Sequence, residues 1–339
     1  MGNGRRSTKR LRYLVTLVLL GLAVHLLLPQ LASLTHAVTV LKGLSRPFVI
    51  LAIGAQIASY AGSGYLLQSG VGLLQQRLTI YQGVLVTLAA NSMGLLTGGT
   101  LTSLAVTFHW LQGLGVNGHA AGLAGLIPLL FNNALLVLVS FFGLLYLLAR
   151  HQLSAAEFWG FVVIALALLA LLLGLSWATR HRTQLLAVVH HVGRRWAMLW
   201  RRAYARKTVE TAVDQYYLVW QHLRAGAWYR PAFGALINNG CDLLTLYALF
   251  VAAGYRIKPG LLVVGYGLPL LFGKIGLLPG GLGVIEGTMV ALFAGFAVPN
   301  AILVVVILGY RFLSFWLPTM MGFAIIPFLQ RLARVHGNG

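Results

Sequence analysis

The sequence predicts an all-α polytopic membrane protein built from inverted-topology repeats with two re-entrant helical hairpins. Three observations carry that expectation. Of 339 residues, 59% are hydrophobic and only 9% are charged, whereas soluble domains run at about 45–50% apolar and about 25% charged. Mean hydropathy is +0.83, and apolar segments of the roughly 20 residues needed to cross a bilayer as a helix recur along the chain. Two of those segments are interrupted by glycine-rich breaks that lie at a constant offset from one another.

The elements follow in order within one integral membrane domain, residues 1–339. The first membrane helix, 11–34, comes after Arg5, Arg6, Lys9, Arg10 and Arg12. It is too long for a signal-peptide core and no small-residue cleavage site follows it, so it reads as a retained span. The first repeat, 46–149, opens at Arg46-Pro47 with an apolar helix from Phe48 to Leu67. Its next segment, Tyr81 to Leu114, is too long for one span and carries Gly94, Gly98 and Gly99 at its middle. A third segment runs from Ala120 to Leu148, and a connecting membrane helix spans 158–178.

The linker 180–229 is the one sizeable polar stretch. Leu185, Val189, Val192, Trp196 and Leu199 recur at spacings of 4, 3, 4 and 3, which gathers them on one helix face opposite Arg194 and Arg201. A basic amphipathic helix of this kind lies among anionic headgroups. The second repeat, 230–329, opens at Arg230-Pro231 and continues through Ala232 to Ala253. Its middle is broken at Leu278-Pro279-Gly280-Gly281-Leu282-Gly283, and a last segment runs from Ala301 to Leu329. Proline removes a donor and glycine weakens a helix, so each broken region reads as two short helices that enter the membrane, turn and leave on the same side.

Duplication accounts for the two breaks. Gly94-Leu95-Leu96-Thr97-Gly98-Gly99 aligns without a gap on Gly276-Leu277-Leu278-Pro279-Gly280-Gly281 at an offset of 182, and the two Arg-Pro entries are 184 apart. Treating each broken region as a hairpin places 18 of the 25 basic residues on the cytoplasmic side, as the positive-inside rule requires. Both termini are then cytoplasmic, and the two repeats enter the membrane from opposite sides. Inverted repeats with broken helices are the architecture of alternating-access transporters.

The net charge of +20 reads as topogenic, because no soluble module exists to carry a nucleic-acid surface. A single cysteine, Cys241, excludes a disulfide framework or cysteine-based metal site. With five acidic residues and no HExxH, GxSxG or Walker pattern, the sequence predicts no enzyme, no metal and no cofactor.

Asp242, Lys274, Glu286 and Arg311 fall inside apolar segments. A lone charge there costs at least about 2.5–3.5 kcal/mol, so each demands a partner. The expected site is a polar groove for a lipid headgroup: Lys274 and Arg311 on phosphate, with Glu286 orienting Arg311 or meeting a cationic headgroup. Pro279, Gly280, Gly281 and Gly283 supply free backbone, and Asn91, Thr97, Gly98 and Gly99 supply the uncharged first-half counterpart. The alternative for Glu286 and Arg311 is a structural ion pair locking the hairpin to the last helix. The pairs Asn132-Asn133 and Asn238-Asn239 read as interhelical hydrogen-bonding residues.

The run Pro279-Gly280-Gly281-Leu282-Gly283-Val284-Ile285-Glu286 resembles the Pro-Gly-Gly-x-Gly-x-x-Glu signature of the lysylphosphatidylglycerol synthase transmembrane-region family. This is the flippase-like membrane domain found in the multiple peptide resistance factor. Asn91 to Gly99 is similar to the family's first-half Asn-x-x-x-Pro counterpart, with Thr97 or Leu95 where proline is common and without that half's Gly-Glu-x-x-Arg charges. The resemblance implies movement of an anionic or aminoacylated phospholipid between leaflets of a bacterial or archaeal cytoplasmic membrane. It does not imply lipid aminoacylation, because no aminoacyl-transferase domain is read in the sequence. A membrane-embedded transferase or accessory subunit acting on lipid-linked substrates, and a non-lipid anion transporter, are the competing functions. Expected partners are the phospholipid itself, anionic headgroups at the linker, and a homo-oligomer or a separate lipid-modifying enzyme.

Overall fold

A computed structural model describes residues 39–97, 100–149, 220–275 and 279–337, together with scattered positions between 181 and 217. The first membrane helix at 11–34, the connecting helix at 158–178 and most of the linker at 180–229 lie outside the described residues. The regular secondary structure of the described residues is helical, with no strand among them.

Among the described residues nine α-helices run in order. In the first half they are α1 (Arg46–Leu73), α2 (Ile80–Thr97), α3 (Thr100–Gly113) and α4 (Gly118–Ala149). In the second half they are α5 (Tyr229–Ala252), α6 (Pro259–Ile275), α7 (Val284–Gly295), α8 (Asn300–Arg311) and α9 (Leu317–Gly337). A π-turn, Phe312–Trp316, joins α8 to α9. Among the described residues four helical stretches are long and apolar enough to cross a bilayer: Arg46–Leu73, Ala120–Ala149, Tyr229–Ala252 and Asn300–Arg331. The apolar helices Ile80–Leu95, Pro259–Lys274 and Val284–Gly295 are shorter, as expected on either side of a break. Large apolar side chains point outward from several of these helices, among them Ile50, Ile57, Phe142 and Met320. A surface this apolar needs lipid around it, so the fold is that of a multi-pass membrane protein.

The centre of the molecule is the antiparallel pair α1 and α5. Ser45 N donates to Ala252 O (2.9 Å) at one end, Thr245 Oγ1 donates to Ala52 O (3.3 Å) further along, and Ser59 and Asn238 exchange bonds beyond that. Close approach is what makes these bonds reachable. A Cβ added at Gly62 would lie 2.7 Å from the Asn238 nitrogen, and one at Gly234 would lie 2.9 Å from Leu66 Cα. Without a hydrophobic drive between helices in lipid, small residues and interhelical hydrogen bonds are what hold such a crossing.

Around this pair the two halves pack reciprocally. Within each half, the first helix packs on the second and the second on the third. Between halves, α4 lies on α6 and α9 lies on α2, so each half's last long helix covers the other half's first short one. The main apolar core gathers Leu246, Phe250, Tyr266, Met289, Phe293, Ile307 and Tyr310 from α5 to α8, and a second core gathers Leu67, Val86, Leu111 and Ala121 from α1 to α4.

Gly234→Leu is expected to destabilise the protein by about 1–3 kcal/mol through overpacking at the α1–α5 crossing. Gly54→Leu, where an added Cβ meets nothing within 4 Å, should leave stability unchanged. Thermal unfolding of both variants in detergent checks the contrast.

Candidate functional site

Both breaks fall in glycine-rich stretches of the sequence. In the second, Gly280, Gly281 and Gly283 have φ of 68°, 65° and 78°, a left-handed backbone that side chains with a Cβ rarely adopt. Pro279–Gly281 makes one tight turn, and α7 then starts at Val284. The turn leaves donors and acceptors exposed, and two charged side chains collect them. Glu286 reaches back one turn so that Gly283 N donates to its Oε2 (2.7 Å), which also places a carboxylate at the positive end of α7. Its other oxygen accepts from Arg311 Nε (2.5 Å). Arg311 Nη2 donates to Gly280 O (3.1 Å), and the guanidinium lies 4.3 Å from the centroid of the Phe315 ring.

Arg311 is only 4% exposed, so its charge is spent on the turn. Glu286 and Arg311 therefore form an ion pair that ties the second break to the junction of α8 and α9. The π-turn at 312–316 belongs to the same junction. It presents the Leu313 carbonyl to the Tyr60 hydroxyl of α1.

The second break packs on the end of α2. A Cβ on Gly280 would lie 3.3 Å from Leu95 Cδ1 of α2, and the 279–281 turn packs on α2. Gly98 and Gly99 lie outside the described residues, and the structure describes Thr97 and Pro279 by backbone alone. Asn91 is exposed on α2. Its neighbour Ser92 is buried and donates to Leu88 O (2.8 Å) and to Thr319 O of α9 (2.9 Å).

Lys274 sits on the last turn of α6, exposed, with Nζ donating to Asn133 Oδ1 of α4. The adjacent Asn132 accepts from Asn239 Nδ2 (2.8 Å), so the two Asn pairs do stitch helices together. At the offset of 182 that aligns the breaks, Ser92 is the counterpart of Lys274. Both side chains reach the opposite half's long helix, one as a neutral hydroxyl and one as a cation.

Asp242 lies apart from this clamp, on α5, where Tyr266 and Tyr310 hydroxyls donate to its Oδ2 (3.0 and 2.8 Å). The tyrosines were missed in the sequence, because aromatic residues in apolar segments give no signal of which carboxylate they will meet. Asn133 carried a signal, as a polar residue in an apolar helix, but its partner belongs to a helix 141 residues away.

The geometry defines an all-α multi-pass membrane protein whose second broken helical region is held by an Arg-Glu clamp and packs on α2. Residues 10–322 match the lysylphosphatidylglycerol synthase TM region family, and the chain belongs to that family. It is also similar to a UPF0104 membrane protein of Methanothermobacter thermautotrophicus, 32% identical over 87 residues, which is 26% of each chain. It matches UPF0104 membrane protein PH1989 of Pyrococcus horikoshii at 34% over 83 residues, 24% of this chain and 25% of that one. UPF0104 membrane protein MJ1595 of Methanocaldococcus jannaschii is 29% identical over 90 residues, 26% of this chain and 27% of its own. The chain thus spans about a quarter of the length of these relatives.

Arg311→Ala should cost about 3–5 kcal/mol, because it strands Glu286 as an unpaired buried charge. Adding Glu286→Gln should recover part of the loss, but not all, since Gly280 O still lacks its donor. A double-mutant cycle on unfolding in detergent reads both values.

Proposed function

We propose that this protein moves phospholipid between membrane leaflets, taking an anionic or aminoacylated headgroup past the place where its second break packs on α2. The observation that carries the reading is Lys274. It is an exposed lysine on a short apolar helix, with its ammonium donating to a neutral amide oxygen. Lys274 Nζ can donate three hydrogen bonds and needs a countercharge at this depth. A lipid phosphate supplies that charge and brings its acyl chains with it into the surrounding apolar phase.

In this reading Arg311 does not bind the substrate. It holds the turn, and Glu286 orients it. The turn in turn fixes α6, and α6 carries Lys274. The reciprocal packing of α4 on α6 and α9 on α2 supports an inverted-repeat arrangement in which one repeat rocks against the other. The first half, with Ser92 where the second has Lys274, would guide the headgroup through neutral contacts and leave charge recognition to one side.

Purified protein in proteoliposomes should accelerate leaflet exchange of fluorescent anionic phospholipid over empty vesicles. Lys274→Ala should slow that exchange about tenfold or more, the loss of one hydrogen bond to a charged group at about 1.5–3 kcal/mol. Exchange of zwitterionic lipid should fall less. Wild-type protein that moves no lipid of any class above the empty-vesicle rate would overturn the reading.

A further inference from the structure

Between the two hydrogen-bonded contacts of the central crossing, Ala52 with Thr245 and Ser59 with Asn238, lies a second polar cluster that the headgroup reading does not use. On α1 it holds Gln56 and Tyr60, and on α5 it holds Asp242. Two phenols complete it, Tyr266 from α6 and Tyr310 from α8.

The hydrogen-bond inventory of this cluster is unbalanced. Both phenols donate to the same oxygen, Asp242 Oδ2 (3.0 and 2.8 Å). The Gln56 amide donates through Nε2 toward Asp242 and Tyr60. Gln56 is 3% exposed, yet its Oε1 has no hydrogen-bond partner among the described residues. A buried acceptor left without a donor costs about 1–3 kcal/mol. Tyr60 cannot repair it, because its hydroxyl proton is committed to the Leu313 carbonyl.

The charge inventory is unbalanced as well. Arg311, the neighbouring cation, is engaged by Glu286 and the Gly280 carbonyl. Cys241 precedes Asp242 on α5 and is a free thiol. The groups facing Asp242 are therefore Gln56 and Tyr60 from α1, Tyr266 from α6, and Tyr310 with the more distant Arg311 from α8. None of them is a cation paired directly with it.

One proton corrects both deficits. We infer that Asp242 and Gln56 form an exchangeable proton site at the α1–α5 crossing, with the proton on Asp242 Oδ1 donated to Gln56 Oε1. Uptake neutralises the carboxylate and, with a half-turn of the Gln56 amide, gives the orphaned acceptor its donor. Release returns the charge, and the amide turns back to present Nε2 to the carboxylate. Both states keep the two phenols on Oδ2, so the change falls on the contact between α1 and α5, which open the two halves. Proton occupancy would thereby bias how the halves meet. An acidic group inside a membrane helix that can exchange a proton is the usual element of a proton relay.

The proton site stands on its own geometry, and its use in driving lipid movement rests on the translocase reading. Two measurements separate them. In nanodiscs, infrared titration of the wild type should show a protonated-carboxyl C=O stretch that disappears as pH rises. Asp242→Asn should abolish that band while still accepting from both tyrosines, and Gln56→Leu should shift it. A wild type with no titrating band that Asp242→Asn removes overturns the site. In proteoliposomes, an imposed pH gradient should accelerate wild-type exchange severalfold, and Asp242→Asn should keep the basal exchange and lose the acceleration. Exchange that ignores the pH gradient, or answers only to a sodium gradient, overturns the coupling. If wild type moves no lipid, the translocase reading fails and the infrared band alone decides the proton site.

Discussion

A membrane interior offers no water to an unpaired backbone group, and that constraint organises this protein around Arg311. Breaking a helix at Pro279-Gly280-Gly281 strands backbone groups that lipid cannot satisfy. The guanidinium takes the Gly280 carbonyl, and its charge is met by Glu286, which in turn takes the Gly283 amide. The break survives because each member satisfies another, and because α8 ends at Arg311 beside the turn. Removing one member would leave a buried charge or a bare peptide group. A half-satisfied polar network costs more than an apolar core would.

From that fixed point the two halves share a scaffold and divide the chemistry. Ser92 and Lys274 hold the same register relative to the breaks, and each bonds to the long helix of the other half. The serine closes a contact. The lysine closes one and keeps donors to spare. In the proposed translocase this asymmetry between the halves would present a charged face on one side and a neutral path on the other. The polar cluster around Asp242 sits where the halves cross, so it is placed to sense their relation to each other and not the headgroup itself.

Much of the scaffold was legible in the sequence. Arg-Pro opens both long helices because proline's missing donor is harmless in a first turn, and the helices begin at Arg46 and Tyr229. Glycine clusters marked the second break, and the left-handed backbone there explains why glycine is needed. Glu286 and Arg311 were singled out as mid-membrane charges, and both a substrate role and an ion pair were open. Their juxtaposition required knowing that α8 turns back onto the break. Less legible were the neutral partners. Gln56 lies in a run of small residues on α1 and gives no hint that it will face a carboxylate 186 positions on. Tyr266 and Tyr310 look like ordinary apolar filling until the fold brings both hydroxyls to one oxygen. Local pattern reports breaks, charges and helix starts, while pairings set by the crossing of distant helices need the fold.

The central claim is that a lipid headgroup pairs with Lys274 beside the second break. A structure of the protein in lipid nanodiscs tests it most directly. The account predicts phosphate density about 2.7–2.9 Å from Lys274 Nζ, with acyl chains leaving between helices into the bilayer. A closed, lipid-free aqueous cavity at Lys274, or a protein carboxylate occupying that place, would contradict it.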